Sequence, residues 1–154
     1  MQRRHFLKNT MATGAIALAA SSGLLVPGSV LAAWNKKAFD AKDVQSALKG
    51  AIGTELTEAT DKIKIKAPQI AENGAVVPIT ISSTLSNVKS ITILSEKNGT
   101  PLIAKFNLKG KAEAFISTRI KMGKTSNIIA VCESGGKFYS ARKEVKVTIG
   151  GCGG

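Results

Sequence analysis

The sequence predicts a mainly β protein: an immunoglobulin-like antiparallel β-sandwich with a short N-terminal helix and a flexible C-terminal glycine-rich arm. Three observations predict it. From residue 62 onward, apolar and polar residues alternate with a period of two in short runs. The pairs Asn73-Gly74, Asn98-Gly99 and Gly135-Gly136 fall between those runs and supply turn chemistry. About seven such runs share about 90 residues, the strand density of a sandwich.

The chain opens MQRRHFLKNT, a basic stretch, and continues into an apolar run over residues 11–31 diluted by Gly14, Ser21, Ser22, Gly23 and Pro27. About 20 apolar residues can span a bilayer. This run is only mildly apolar, however, and it closes on Val30-Leu31-Ala32-Ala33, small residues suited to a signal peptidase. Residues 1–33 therefore read as an export signal. The stretch Arg3-Arg4-His5-Phe6-Leu7-Lys8 resembles the twin-arginine signal that exports folded proteins, with Gln2 where Ser or Thr is usual. Cleavage near Ala32 or Ala33 is expected to leave one periplasmic domain over residues 34–149, an arm over residues 150–154, and no membrane segment.

The helix is expected next, in FDAKDVQSALKG from Phe39. Asp40 suits the N-cap, Asp43 the positively polarised first turn, and Gly50 the end, while Val44, Ala47, Leu48 and Ala51 recur at helical spacing. Strands are expected over residues 62–66, 76–83, 90–95, 102–108, 114–120, 127–133 and 137–149. Pro78, which cannot donate to a ladder, marks an edge or a bulge.

Composition removes many functions. The 22 basic residues outnumber the ten acidic ones. Loss of Arg3, Arg4 and Lys8 with the leader still leaves 19 against ten, a formal charge of +9. Export and few aromatics argue against nucleic acid. Anionic small molecules or acidic protein partners suit the charge, as does solubility alone. The single histidine, His5, lies in the leader. The mature chain thus lacks a Cys-His or Ser-His-Asp arrangement and any histidine metal ligand. Its two cysteines, Cys132 and Cys152, match no zinc, haem or iron–sulfur spacing. No cofactor and no enzymatic activity are expected.

A disulfide between those cysteines is the ordinary expectation for an exported chain. Hairpin geometry opposes it. With Gly135-Gly136 as a two-residue turn, Cys132 faces Tyr139, and Ile149 lies about 33 Å farther along the strand at about 3.3 Å per residue. The three residues back to Cys152 return only about 10 Å. Cys132, on the face of Ile128 and Ala130, reads as a small core residue. Cys152 stands between Gly150-Gly151 and Gly153-Gly154, without packing neighbours in sequence. It is either a leftover thiol on a frayed terminus or a thiol on a swinging arm, able to reach roughly 15 Å beyond the last strand. An ordinary thiol is only a few per cent thiolate at neutral pH, and the chain offers Cys152 no base. Activation must come from another protein.

The ending Lys-Val-Thr-Ile-Gly-Gly-Cys-Gly-Gly, behind a basic β-rich domain and a twin-arginine leader, resembles the SoxY family of sulfur carriers in bacterial thiosulfate oxidation. The resemblance implies that Cys152 is the covalent attachment site and that Gly150, Gly151, Gly153 and Gly154 form the arm. It also implies the partners. These are a SoxZ-like subunit in a heterodimer or heterotetramer, a haem-containing coupling enzyme, a manganese hydrolase, and in many systems a molybdenum–haem sulfane dehydrogenase. Nothing functional carries over to Cys132. A second reading from the residues is a structural sandwich subunit whose tail cysteine forms an intermolecular disulfide or binds a metal.

Overall fold

The computed structural model describes residues 35–148. Two helices, α1 (Lys36–Phe39) and α2 (Val44–Ile52), precede nine strands. The strands are β1 (Glu58–Ala59), β2 (Ile63–Lys66), β3 (Ile70–Ala71), β4 (Val77–Ser83), β5 (Val88–Ser95), β6 (Leu102–Asn107), β7 (Phe115–Ile120), β8 (Ser126–Ser134) and β9 (Lys137–Val147). All seven strands expected from the alternation are present, with ends moved by one or two residues.

The helix exists with different caps. Asp43, not Asp40, is the N-cap of α2: its extended backbone lets the carboxylate accept the Ser46 N–H at 2.8 Å. That bond lowers the Asp43 pKa. Asp40 instead closes the extra turn α1 and pairs with Lys36. Gly53, not Gly50, ends α2 in the left-handed conformation, with φ of 81°. Gly50 serves packing, because a Cβ there would stand 2.8 Å from the Ala38 Cα. Asn35 ties the two helices together, capping α1 with its Oδ1 and donating from Nδ2 to the Gly50 carbonyl at 2.6 Å.

The strands form two sheets. A six-stranded sheet runs β1-β9-β8-β5-β6, with β3 also pairing β9, and a three-stranded sheet runs β2-β4-β7. The expected antiparallel pairing holds for the seven longer strands. The two-residue strands β1 and β3, however, pair β9 in parallel. At two residues neither carries a readable period. Gly135 and Gly136 have φ of 58° and 77°, the geometry of a tight hairpin turn, and Cys132 pairs with Tyr139 as the turn predicts. Pro78 lies in the middle strand of the smaller sheet, yet pairing with β2 stops at Thr80. Locally it is an edge position. The bulges occur elsewhere, in β5.

Two apolar clusters explain which runs alternate. Ile63, Val77, Ile79, Ile81 and Ile120 of the small sheet pack with Ile91, Ile93, Ile128, Ala130, Cys132 and Val145 of the large one. On the other face of the large sheet, Ile129, Val131, Leu94 and Leu102 pack with Ala38, Ala47 and Leu48 of the helices. Strands β5 and β8 are therefore covered on both faces: β8 carries the continuous apolar run IIAVC, whereas β5 (VKSITILS) buries Ser90, Thr92 and Ser95 among its apolar residues. Strand β2 has one covered face and reads IKIK.

Thr92, in β5, is fully buried, and its Oγ1 has no hydrogen-bond partner. Desolvating an unpaired hydroxyl costs about 1–3 kcal/mol. Thr92→Val keeps the shape and removes that cost, so urea denaturation should show stabilisation by about 1–2 kcal/mol.

Candidate functional site

Cys152 and the arm glycines Gly150, Gly151, Gly153 and Gly154 lie outside the described residues, as does the expected leader. The structure describes the strand end that precedes these C-terminal residues. Strand β9 is held along its last residues by groups far apart in sequence. Lys146 N donates to the Gln69 carbonyl at 2.9 Å and Thr148 N to the Ala71 carbonyl at 3.2 Å. From the other side, Thr125 Oγ1 accepts from Val147 N at 2.9 Å and lies 3.4 Å from the Val147 carbonyl. The strand is thus fixed up to Thr148, four residues before Cys152.

Gly74 lies against this strand end. A Cβ on it would stand 2.7 Å from the Val147 Cγ1 and 2.4 Å from the Met122 carbonyl oxygen, whereas Gly74 itself accepts from Met122 N at 2.7 Å. The sequence marks Asn73-Gly74 as a turn; the close approach that demands glycine there is a tertiary fact. Thr125 and the parallel strand β3 carry no local signal of their role.

Cys132 is where the alternation puts it. It is fully buried among Ile91, Ile128, Ala130 and Val145 of the core cluster, and it is a free thiol. Burial pushes its pKa up from 9.0 to about 11, against a smaller lowering by a hydrogen bond with Ser83. At neutral pH this thiol is neither ionised nor accessible, the two properties a nucleophile or acceptor needs. Among the described residues, no group of three or more His, Cys, Asp or Glu side chains is placed to hold a metal ion.

The raised pKa has a consequence at high pH. In the unfolded chain the Cys132 thiol ionises near its ordinary value, while in the folded protein it stays protonated to about 11. The unfolded state therefore binds fewer protons in between, and stability falls as pH rises through that window. A two-unit shift corresponds to about 3 kcal/mol. Urea midpoints should hold steady below pH 9 and fall toward pH 11, and Cys132→Ala should remove that part of the fall.

Comparison with known proteins places this fold among sulfur carriers. The solved structure of the sulfur carrier protein SoxY from Chlorobium limicola f thiosulfatophilum is 38% identical, with a TM-score of 0.64 over 74% of this chain and 99% of that one. The family model described as sulfur oxidation protein SoxY matches residues 48–152, a span that ends on Cys152. The chain belongs to the SoxY family. The reeler domain of human F-spondin aligns at 11% identity and a TM-score of 0.42 over 59% of this chain and 92% of that one, a likeness too slight to bear on function. No curated protein sequence matches.

Proposed function

We propose that this chain is the covalent sulfur carrier of periplasmic thiosulfate oxidation, with intermediates attached to Cys152 and presented to partner enzymes by the arm of residues 150–154. Within this reading the two-sheet body is an immunoglobulin-like sandwich and the leader exports it folded, paired with a SoxZ-like subunit. The observation that carries the reading is the burial of Cys132. Of the two cysteines in the chain, it is locked in the core with a raised pKa, which leaves Cys152 as the thiol able to meet another protein.

The chemistry follows from a thiol with no base of its own. A haem-containing partner removes two electrons as the Cys152 thiolate joins the outer sulfur of thiosulfate, forming an S–S bond and a cysteine S-thiosulfonate. A manganese hydrolase then adds water across the bond to the sulfonate group, releasing sulfate and leaving a persulfide on Cys152. Where a molybdenum–haem dehydrogenase is present, it oxidises that outer sulfur while the carrier still holds it. The chain supplies a tether and a thiol. Electrons and metals belong to the partners.

The test is the intact mass of the protein purified from cells growing on thiosulfate, before and after reductant, with fragmentation to locate any adduct. Reductant-labile thiosulfonate or extra sulfur at Cys152 is expected. An unmodified Cys152 during active turnover, or adducts at Cys132 alone, would overturn the proposal.

A further inference from the structure

Part of the positive charge of this protein is gathered on one sheet face, from strands that are apart in sequence. The outer face of the three-stranded sheet is covered by no element among the described residues. Its positions follow from the register: Lys64 lies beside Ser82 and Phe115, Lys66 beside Thr80 and Ser117, and Pro78 beside Arg119. Lys64, Lys66 and Arg119 are exposed, Lys62 lies exposed just before β2, and Phe115 is 54% exposed at one corner. None of β2, β4 and β7 contains an acidic residue. The nearest carboxylates in sequence, Asp61 and Glu113, flank the strands.

Ion pairs are few among the described residues, and none of them lies on this face. Glu58 pairs with Lys137, Glu96 with Arg142 and Asn127, and Asp40 with Lys36. Glu133, from β8 in the large sheet, accepts from the Ser90 hydroxyl. Lys62, Lys64, Lys66 and Arg119, like most of the other described lysines, form no ion pair among the described residues, and what sets this face apart is that its three strands carry cations and no carboxylate. A row of cations without carboxylates, around a centre of short hydroxyl side chains, holds a positive potential that favours a negatively charged surface.

We propose that this face docks a carboxylate-bearing surface of a partner protein. Geometry favours a protein over a small anion. Lys64 and Lys66 are about 7 Å apart along their strand, and the Arg119 strand lies about 10 Å away across the sheet. The donors are spread over a plane. Small anions need donors that converge, and the central hydroxyls of Thr80 and Ser117 lie 3.4 Å apart, within reach of each other. A surface bearing several carboxylates at comparable spacing would match the row and be steered to it over the distance at which charges are felt. The face carries no thiol and its test needs no sulfur chemistry, so it stands or falls apart from the carrier reading.

The test uses the full chain and a fluorescently labelled decaglutamate peptide as the probe, followed by anisotropy at about 50 mM and 150 mM salt. The triple variant Lys64→Glu, Lys66→Glu, Arg119→Glu is compared with Lys42→Glu, Lys49→Glu, Lys97→Glu, which makes the same change in net charge at exposed positions in or beside α2 and in the turn after β5, away from this sheet. The face variant should lose affinity about tenfold or more, the control less than about threefold, and native binding should weaken as salt rises. A milder set, Lys64→Gln, Lys66→Gln, Arg119→Gln, with an unchanged thermal midpoint, guards against misfolding and should fall between native and reversal. Equal losses in the two reversal variants would mean that only net charge matters and would overturn the proposal. Binding of phosphatidylglycerol vesicles by this face with no binding of the peptide would overturn it as well, by assigning the face to anionic lipid.

Discussion

Cys152→Ser is expected to reduce thiosulfate-dependent turnover by the assembled system to background while leaving the folded domain unchanged. The oxygen of serine cannot form the S–S bond to thiosulfate, and Cys132, fully buried with a pKa raised to about 11, cannot substitute. The domain should keep its thermal midpoint, because serine is close to cysteine in size and the contacts that hold β9 to Gln69, Ala71 and Thr125 are made by Lys146, Val147 and Thr148. Turnover and stability are measured on the same preparation, with Cys132→Ala as the companion. That variant should lose stability and keep turnover. Turnover surviving in Cys152→Ser would remove the carrier role from the arm, and loss of assembly with a partner would favour a structural role for the tail.

Ile93→Ala is expected to cost about 2–5 kcal/mol in urea denaturation, through lost burial and the cavity left behind. Ile93 has no exposed surface, sits in β5 between β8 and β6, and packs in the cluster that joins the two sheets. A domain of this size loses several degrees of thermal midpoint per kcal/mol, so a fall of about 10 °C or more should accompany it. Ile70→Ala makes the contrast, since Ile70 is 55% exposed and its truncation should change stability by less than about 1 kcal/mol. Equal effects at the two positions would mean that the cluster between the sheets does not dominate the stability of the fold. Both positions are remote in sequence from Cys152, which makes Ile93→Ala a variant that weakens the scaffold without changing the proposed attachment thiol.

What the sequence determined by itself is local. Short runs between turn signals placed seven strands: where one face is covered, as in β2, that cover imposes a period of two, and where both are covered, as in β8, the run is apolar throughout its middle. Gly135-Gly136 fixed the hairpin and the pairing of Cys132 with Tyr139, since a two-residue turn permits one register. The ending GGCGG and the absence of histidine after His5 make Cys152 the proposed attachment site without reference to any fold. Capping was only half legible: Asp40 and Asp43 both suit an N-cap, and the choice depended on where α1 ends. Tertiary structure alone decided the rest. The parallel strands β1 and β3 are too short to show a period and exist because β9 offers them an edge. The need for glycine at position 74 comes from Met122 and Val147, 48 and 73 residues away in the chain. The basic face came from the same cause: lysines alternate along β2 in the sequence, but only packing decides that their side of the sheet is left bare while both sides of β5 and β8 are covered. Backbone periodicity is a property of one strand. Cover and close approach are properties of pairs of elements that the chain brings together only on folding.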